Sequence, residues 1–161
     1  MSIWNLNVNC GITFGEDSRL TVGEKLKSYG ATTALLLYDM AMDQFGYQRE
    51  IEKVINDANI KVVCYQVEEG EPTAQKSDRA YDFAKDKSVD AIVAIGGGST
   101  MDTGKMVGKL LANGGKTRDY QNNPCIGNTV FRPLIALPST AGTGAELTPY
   151  LTCATEDGKK G

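Results

Sequence analysis

Three consecutive glycines, Gly96, Gly97 and Gly98, end the apolar run "DAIVAI" (90–95) and precede a helix-patterned segment opening near Ser99. Glycine–serine runs are in general linkers, but linkers sit in polar, low-complexity surroundings. Here Ile92, Val93, Ala94 and Ile95 stand before the glycines, and Met106, Val107, Leu110 and Leu111 follow. The glycines therefore turn the chain from a buried strand straight into an amphipathic helix. That junction belongs to alternating β/α architecture.

The rest of the chain keeps the same rhythm. "TALLLY" (33–38), "IKVVCYQV" (60–67) and "RPLIALP" (132–138) are further apolar runs, and helical patterns cover 41–58, 73–87 and 99–113. Continuous apolar strands separated by helices predict a mostly parallel sheet covered on both faces. With right-handed crossovers the expected fold is α/β, a Rossmann-like doubly wound domain. Two more runs, "NVNCGITFG" (7–15) and "TPYLTCAT" (148–155), read as strands with no helix between neighbours, so an antiparallel edge extension is expected. There is no internal repeat, and "TEDGKKG" at the end reads as a loose terminus.

Composition narrows the function. With 161 residues, 41% of them hydrophobic, the chain is long enough for one domain with a real core. A net charge of −3 with dispersed Lys and Arg argues against nucleic acid or an anionic membrane as partner. No apolar stretch approaches the roughly 18 residues of a spanning helix. The first residues, "MSIWNLNVNC", lack a basic region followed by an apolar one, so the expected location is cytoplasmic. Cys10, Cys64, Cys125 and Cys153 form no CxxC pair and are expected to be reduced thiols. Histidine is absent, which removes the commonest general base and the commonest transition-metal ligand. No catalytic and no metal-binding residue is assigned within these residues.

Beyond the carboxyl end of a parallel strand, glycines let a phosphate approach the backbone, and the following helix offers unpaired N–H groups and positive partial charge. Ser99 is placed as the N-cap. Asp102, three residues on, reads either as its capping-box partner or as a ligand contact. Two well-known phosphate motifs fail here. Five residues, not four, separate Gly98 from Gly104, and Met106 rather than Ser or Thr follows Lys105. The Gly-x-Gly-x-x-Gly fingerprint would need glycine where Met101 stands. A second stretch of small and hydroxyl residues, "PSTAGTGAE" (138–146), follows another apolar run. It reads as a solvent loop or as a second close approach to a ligand, and a nucleotide shared by both loops accounts for the pair.

"GGGSTMDTGK" followed by "LPSTAGTGAE" resembles the iron-dependent (group III) alcohol dehydrogenases. "ITFGEDS", "LLYDM" and "EEGEPTAQ" extend the resemblance over nearly the whole chain. The resemblance implies that residues 1–161 are an NAD(P)-binding N-terminal domain. The helical C-terminal domain, which carries the family's iron or other divalent metal on an aspartate and three histidines, is absent. The expected function is the dinucleotide half of an NAD-linked dehydrogenase of small primary alcohols or diols and their aldehydes. It is expected to be inactive alone, in a cytoplasmic and homo-oligomeric parent. Residue by residue, the resemblance assigns Asp39 to the adenosine ribose, with its charge favouring NAD over NADP. The competing reading of Asp39 is a turn or helix cap. Gly97, Gly98 and Ser99 would cradle the pyrophosphate. Ser139, Thr140 and Thr143 would line the adenine and ribose side, and Thr148 with Lys160 the nicotinamide side. Ser139, Ala145 and Glu71 depart from the commoner threonine, serine and asparagine of the family. Two alternatives stay open: a stand-alone nucleotide-binding or assembly module, and a fragment of a glycerol-dehydrogenase-like or dehydroquinate-synthase-like enzyme.

Overall fold

The computed structural model describes residues 10–121 and 131–154. Four strands, β1 (Thr33–Tyr38), β2 (Lys61–Gln66), β3 (Ala91–Gly96) and β4 (Leu134–Pro138), form one sheet in the order β2-β1-β3-β4. Every pairing is parallel, with Leu36 opposite both Cys64 and Val93, and Ala94 opposite Ala136. Among the described residues six α-helices accompany the strands: α1 (Val22–Ser28), α2 (Met40–Gln44), α3 (Tyr47–Asp57), α4 (Ala74–Ala84), α5 (Gly98–Asn113) and α6 (Thr117–Gln121). The expected fold class is what the structure shows.

Strand periodicity divides the core in two. Ala34, Leu36, Ala91, Val93 and Ile95 face one layer, against Val22 and Leu26 of α1 and Ile51 and Ile55 of α3. Leu35, Leu37, Ile92 and Ala94 face the other, against Ala80 and Ala84 of α4 and Met101 and Val107 of α5. Because both faces are covered, β1 and β3 are apolar throughout rather than alternating, which is why they were legible as continuous runs. No helix among the described residues is long and apolar enough to cross a membrane.

Three local expectations change. The single helix expected over 41–58 is two helices, because Gly46 adopts φ 78° at the N-cap of α3 and a right-handed helix cannot run through that residue. The expected antiparallel edge does not form within the described residues. Residues 10–15 contain no strand, and 148–154 contribute one parallel bridge, Thr73 to Ala154. Side-chain bonds to α5, described below, hold the 148–152 backbone in place of a ladder. The third change is at the start of α5. Gly97, not Ser99, is the N-cap, and no side chain caps that end.

The strand order creates one position of interest. From β1 the chain steps to β2 on one side, then crosses back to β3 on the other. Beyond the carboxyl ends of β1 and β3 the connections diverge and leave a crevice.

Candidate functional site

Asp39 follows β1 directly and stands at that crevice. Its Oδ1 accepts from the Met42 N–H at 3.0 Å, which caps α2. Its Oδ2 accepts from the Gly97 N–H at 3.1 Å, across 58 residues of sequence. The cap reading of Asp39 is thus realised, and the carboxylate also ties the end of β1 to the turn after β3. Each carboxylate oxygen keeps a lone pair, and Asp39 is only partly buried, so it can still accept from a ligand hydroxyl.

The three glycines have three different jobs. Gly96 has φ +150°, and a Cβ there would lie 2.4 Å from Asp39 Oδ2 and 2.7 Å from Thr100 Oγ1. It is the residue that the turn itself requires. Gly98 lies under Thr143, whose Oγ1 would be 2.7 Å from an added Cβ. Gly97 has φ −81°, and an added Cβ would meet nothing closer than Thr140 Oγ1 at 3.7 Å. Gly97 is therefore not needed for conformation or packing, and its missing side chain leaves an open cradle. The first ladder bond of α5 is Thr100 N–H to Gly97 O at 3.1 Å, so the Gly98 and Ser99 N–H groups lie outside the helix's own ladder. A phosphate suits that cradle.

The second loop closes over the first. Ser139 N–H donates to Gly96 O at 2.9 Å, continuing the β3–β4 pairing. Thr140 then sits beside Gly97 and Thr143 beside Gly98. Asp39, Gly97, Gly98 and Ser99 line a cleft of about 630 Å³ together with Glu68, Glu69, Gly70 and Glu71 of the acidic turn after β2. Arg79 donates to Glu68 at 2.6 and 2.7 Å, and these hydrogen bonds hold the Glu68 carboxyl below its ordinary value. Lys76 Nζ donates to the Glu69 and Glu71 carbonyls of the same turn.

Asp102 and Thr148 do not line this cleft. Asp102 is neither a capping partner nor open to the cleft, since its oxygens accept from Lys105 Nζ at 3.0 Å and Thr152 N–H at 3.1 Å. With the N-cap at Gly97 the capping-box position falls on Thr100, so Asp102 lies two residues too far along α5 and pairs with Lys105 instead. Thr148 lies along α5 with it, its Oγ1 3.3 Å from Lys105 Nζ. Ser99 is inside the first turn of α5, where its carbonyl accepts from Thr103 Oγ1 at 2.8 Å. Lys160 and Cys125 are outside the described residues. Sequence reading missed Lys105 and the acidic turn; the signal for Lys105 was its i,i+3 spacing from Asp102 on one helix.

No group of three or more His, Cys, Asp or Glu among the described residues could hold a metal ion. Burial pushes the Cys64 and Cys153 thiols up to about 11, so neither is a thiolate nucleophile at neutral pH.

A crevice at a strand-order switch, floored by glycines at a helix start, is where α/β domains of this kind bind their ligands. The chain belongs to the iron-containing alcohol dehydrogenase family, whose model matches residues 10–161. It is 36% identical over 139 residues to the NAD-dependent methanol dehydrogenase of Bacillus methanolicus, covering 86% of this chain and 36% of that protein. An iron-containing alcohol dehydrogenase from Thermotoga maritima superimposes with a TM-score of 0.85 at 25% identity, covering 98% of this chain and 44% of that one. A sulfoacetaldehyde reductase from Bifidobacterium kashiwanohense, solved in complex with NAD+, shares the fold with a TM-score of 0.84 at 22% identity, over 99% of this chain and 42% of that one. The chain thus spans less than half the length of these proteins.

Proposed function

We propose that the chain is the dinucleotide-binding part of a longer, metal-dependent and NAD-linked alcohol dehydrogenase. Its substrates would be small primary alcohols or diols and the corresponding aldehydes. The observation that carries the reading is the open space over Gly97, between Asp39 and Thr140. Gly97, Gly98 and Ser99 hold the pyrophosphate through α5's first N–H groups and its positive end. Asp39 accepts from the adenosine ribose hydroxyls. Together with Glu68 and Glu69 it makes the cleft unfavourable for a 2′-phosphate, so NAD is preferred over NADP. Ser139, Thr140 and Thr143 cover the adenosine side, and Thr148 and Lys160 serve the nicotinamide side. Bound NAD supplies the hydride acceptor at nicotinamide C4.

The metal and the residues that contact alcohol are assigned to parts of the longer protein outside this chain, which alone is inactive. The reading extends to a cytoplasmic, homo-oligomeric parent. Calorimetry of the 161-residue chain with NAD+ and NADP+ tests the core of it. Micromolar-to-millimolar binding that favours NAD+ is expected, and no binding of either overturns the reading. Alcohol-dependent NADH production by a clean preparation would overturn the division of labour.

A further inference from the structure

We infer that Asp102 and Lys105 are a positioning pair, which fixes the 148–152 segment along α5 and so places Thr148, the residue that the dinucleotide reading assigns to the nicotinamide side. The inference rests on the dinucleotide reading above. An ammonium group has three donors, and the structure gives Lys105 Nζ three acceptors: Asp102 Oδ1 at 3.0 Å, Thr148 Oγ1 at 3.3 Å and Tyr150 O at 2.7 Å. Asp102 Oδ2 adds the Thr152 N–H at 3.1 Å. The two side chains are only 11% and 12% exposed, whereas the other ion pairs described lie at 35% exposure or more. Solvent therefore screens this pair least.

The segment it holds has no strand or helix of its own between 148 and 153. Thr148, Tyr150 and Thr152 are exposed, and the segment packs inward only through half-buried Leu151 and buried Cys153. Upstream, the loop is pinned independently by Ser139 N–H to Gly96 O at 2.9 Å and Leu147 N–H to Gly144 O at 3.0 Å. Downstream, Ala154 N–H donates to Pro72 O at 2.8 Å. Between those anchors Thr148 Oγ1 meets Lys105 Nζ at 3.3 Å and donates to Tyr150 O at 3.2 Å, the same carbonyl that Lys105 holds, so the pair governs where Thr148 stands. A mostly buried ion pair can often be replaced by apolar side chains with little loss of stability. An apolar pair could not hold three separate polar groups of a strandless segment, and that is what this one does.

The test uses the 161-residue chain and the double variant Asp102→Leu/Lys105→Met, which removes both charges and leaves neither buried alone. Three readouts are compared: melting temperature, hydrogen exchange of the Thr152 amide, and affinity for NADH against ADP-ribose, which lacks the nicotinamide. A melting temperature within a few degrees of the parent is expected, with Thr152 exchange about tenfold faster. NADH affinity should fall about tenfold while ADP-ribose changes less than about twofold. Lys105→Arg, which keeps the charge, should restore most of the exchange protection. Should the double variant not fold, Asp102→Asn gives the same readouts in a milder form. Unchanged Thr152 exchange, or equal loss of both ligands, overturns the inference. A parent chain that binds neither ligand overturns the dinucleotide reading instead, and exchange then still decides whether the pair holds the segment.

Discussion

Two aspartates join β1 to β3, one at each end of the sheet, and only one of them stands at a candidate site. Asp90 precedes β3 and accepts from the Thr32 and Thr33 N–H groups and the Thr32 hydroxyl, at 2.6–3.1 Å. Asp39 follows β1 and accepts from Gly97 N–H and Met42 N–H. Each reaches across the same 58 residues to the neighbouring connection. A carboxylate that receives backbone N–H groups at a strand end is therefore a structural element in its own right. What sets Asp39 apart is its surroundings: the strand-order switch, the helix start at Gly98 and an open cleft. Asp90 has none of the three.

The sharpest way to break the comparison is at Gly96. Gly96→Val forces a side chain into Asp39 Oδ2 at a positive φ, and should cost about 3 kcal/mol or prevent folding, read as a drop in melting temperature. Gly97→Val, one residue on, should leave melting nearly unchanged and abolish NADH binding measured by fluorescence, because its Cβ fills the space proposed for the pyrophosphate. If Gly97→Val binds like the parent, the phosphate site lies elsewhere.

The aspartates themselves should separate next. Asp90→Ala strips several charge-assisted bonds and is expected to lose about 2 kcal/mol of stability with nucleotide affinity intact. Asp39→Gly should lose only about 1 kcal/mol, since glycine is tolerated at an N-cap, but should relax the preference for NAD+ over NADP+ about tenfold. Calorimetry that finds the preference intact would remove Asp39 from the ribose site.

The smallest effect is on acid stability. Burial alone would raise the Asp90 carboxyl, but bonds from the Thr32 hydroxyl and the Thr32 and Thr33 N–H groups outweigh it and hold the group below its ordinary value. A carboxyl lowered in the folded state stabilises the fold above its unfolded pKa of about 3.9, and the contribution fades as pH falls through the folded value. Melting curves of Asp90→Asn should accordingly converge with those of the parent only at the acid end. Curves that keep a constant gap down to pH 2 would show that the charge is not what Asp90 contributes.

The fold was legible because its strands are local and doubly buried. "TALLLY" is β1 residue for residue, and the glycine triplet marks the end of β3. Gly97 and Gly98 were legible as a strand-to-helix turn for the same reason, whereas Asp39 was singled out by the family resemblance and its bond to Gly97 came only with the structure. The cap at Ser99 was misplaced by two residues because the helix begins on glycines, which carry no capping signal. That Asp102 and Thr148 both meet Lys105 along α5 was not legible, because no local pattern records that Lys105 gathers them.

What the sequence determined by itself is the alternation of buried strands and helices, and the places where glycine lets the backbone turn. Those follow from side-chain burial and backbone sterics acting over a few residues. Tertiary structure alone decided which of the three glycines is open to a ligand, which aspartate faces a cleft, and where the 148–152 segment rests. Each depends on contacts between residues far apart in the chain: Asp39 with Gly97, Thr143 with Gly98, Lys105 with Tyr150. Such contacts are made by packing the sheet and its helices together, and the spacing of residues along one strand does not encode them.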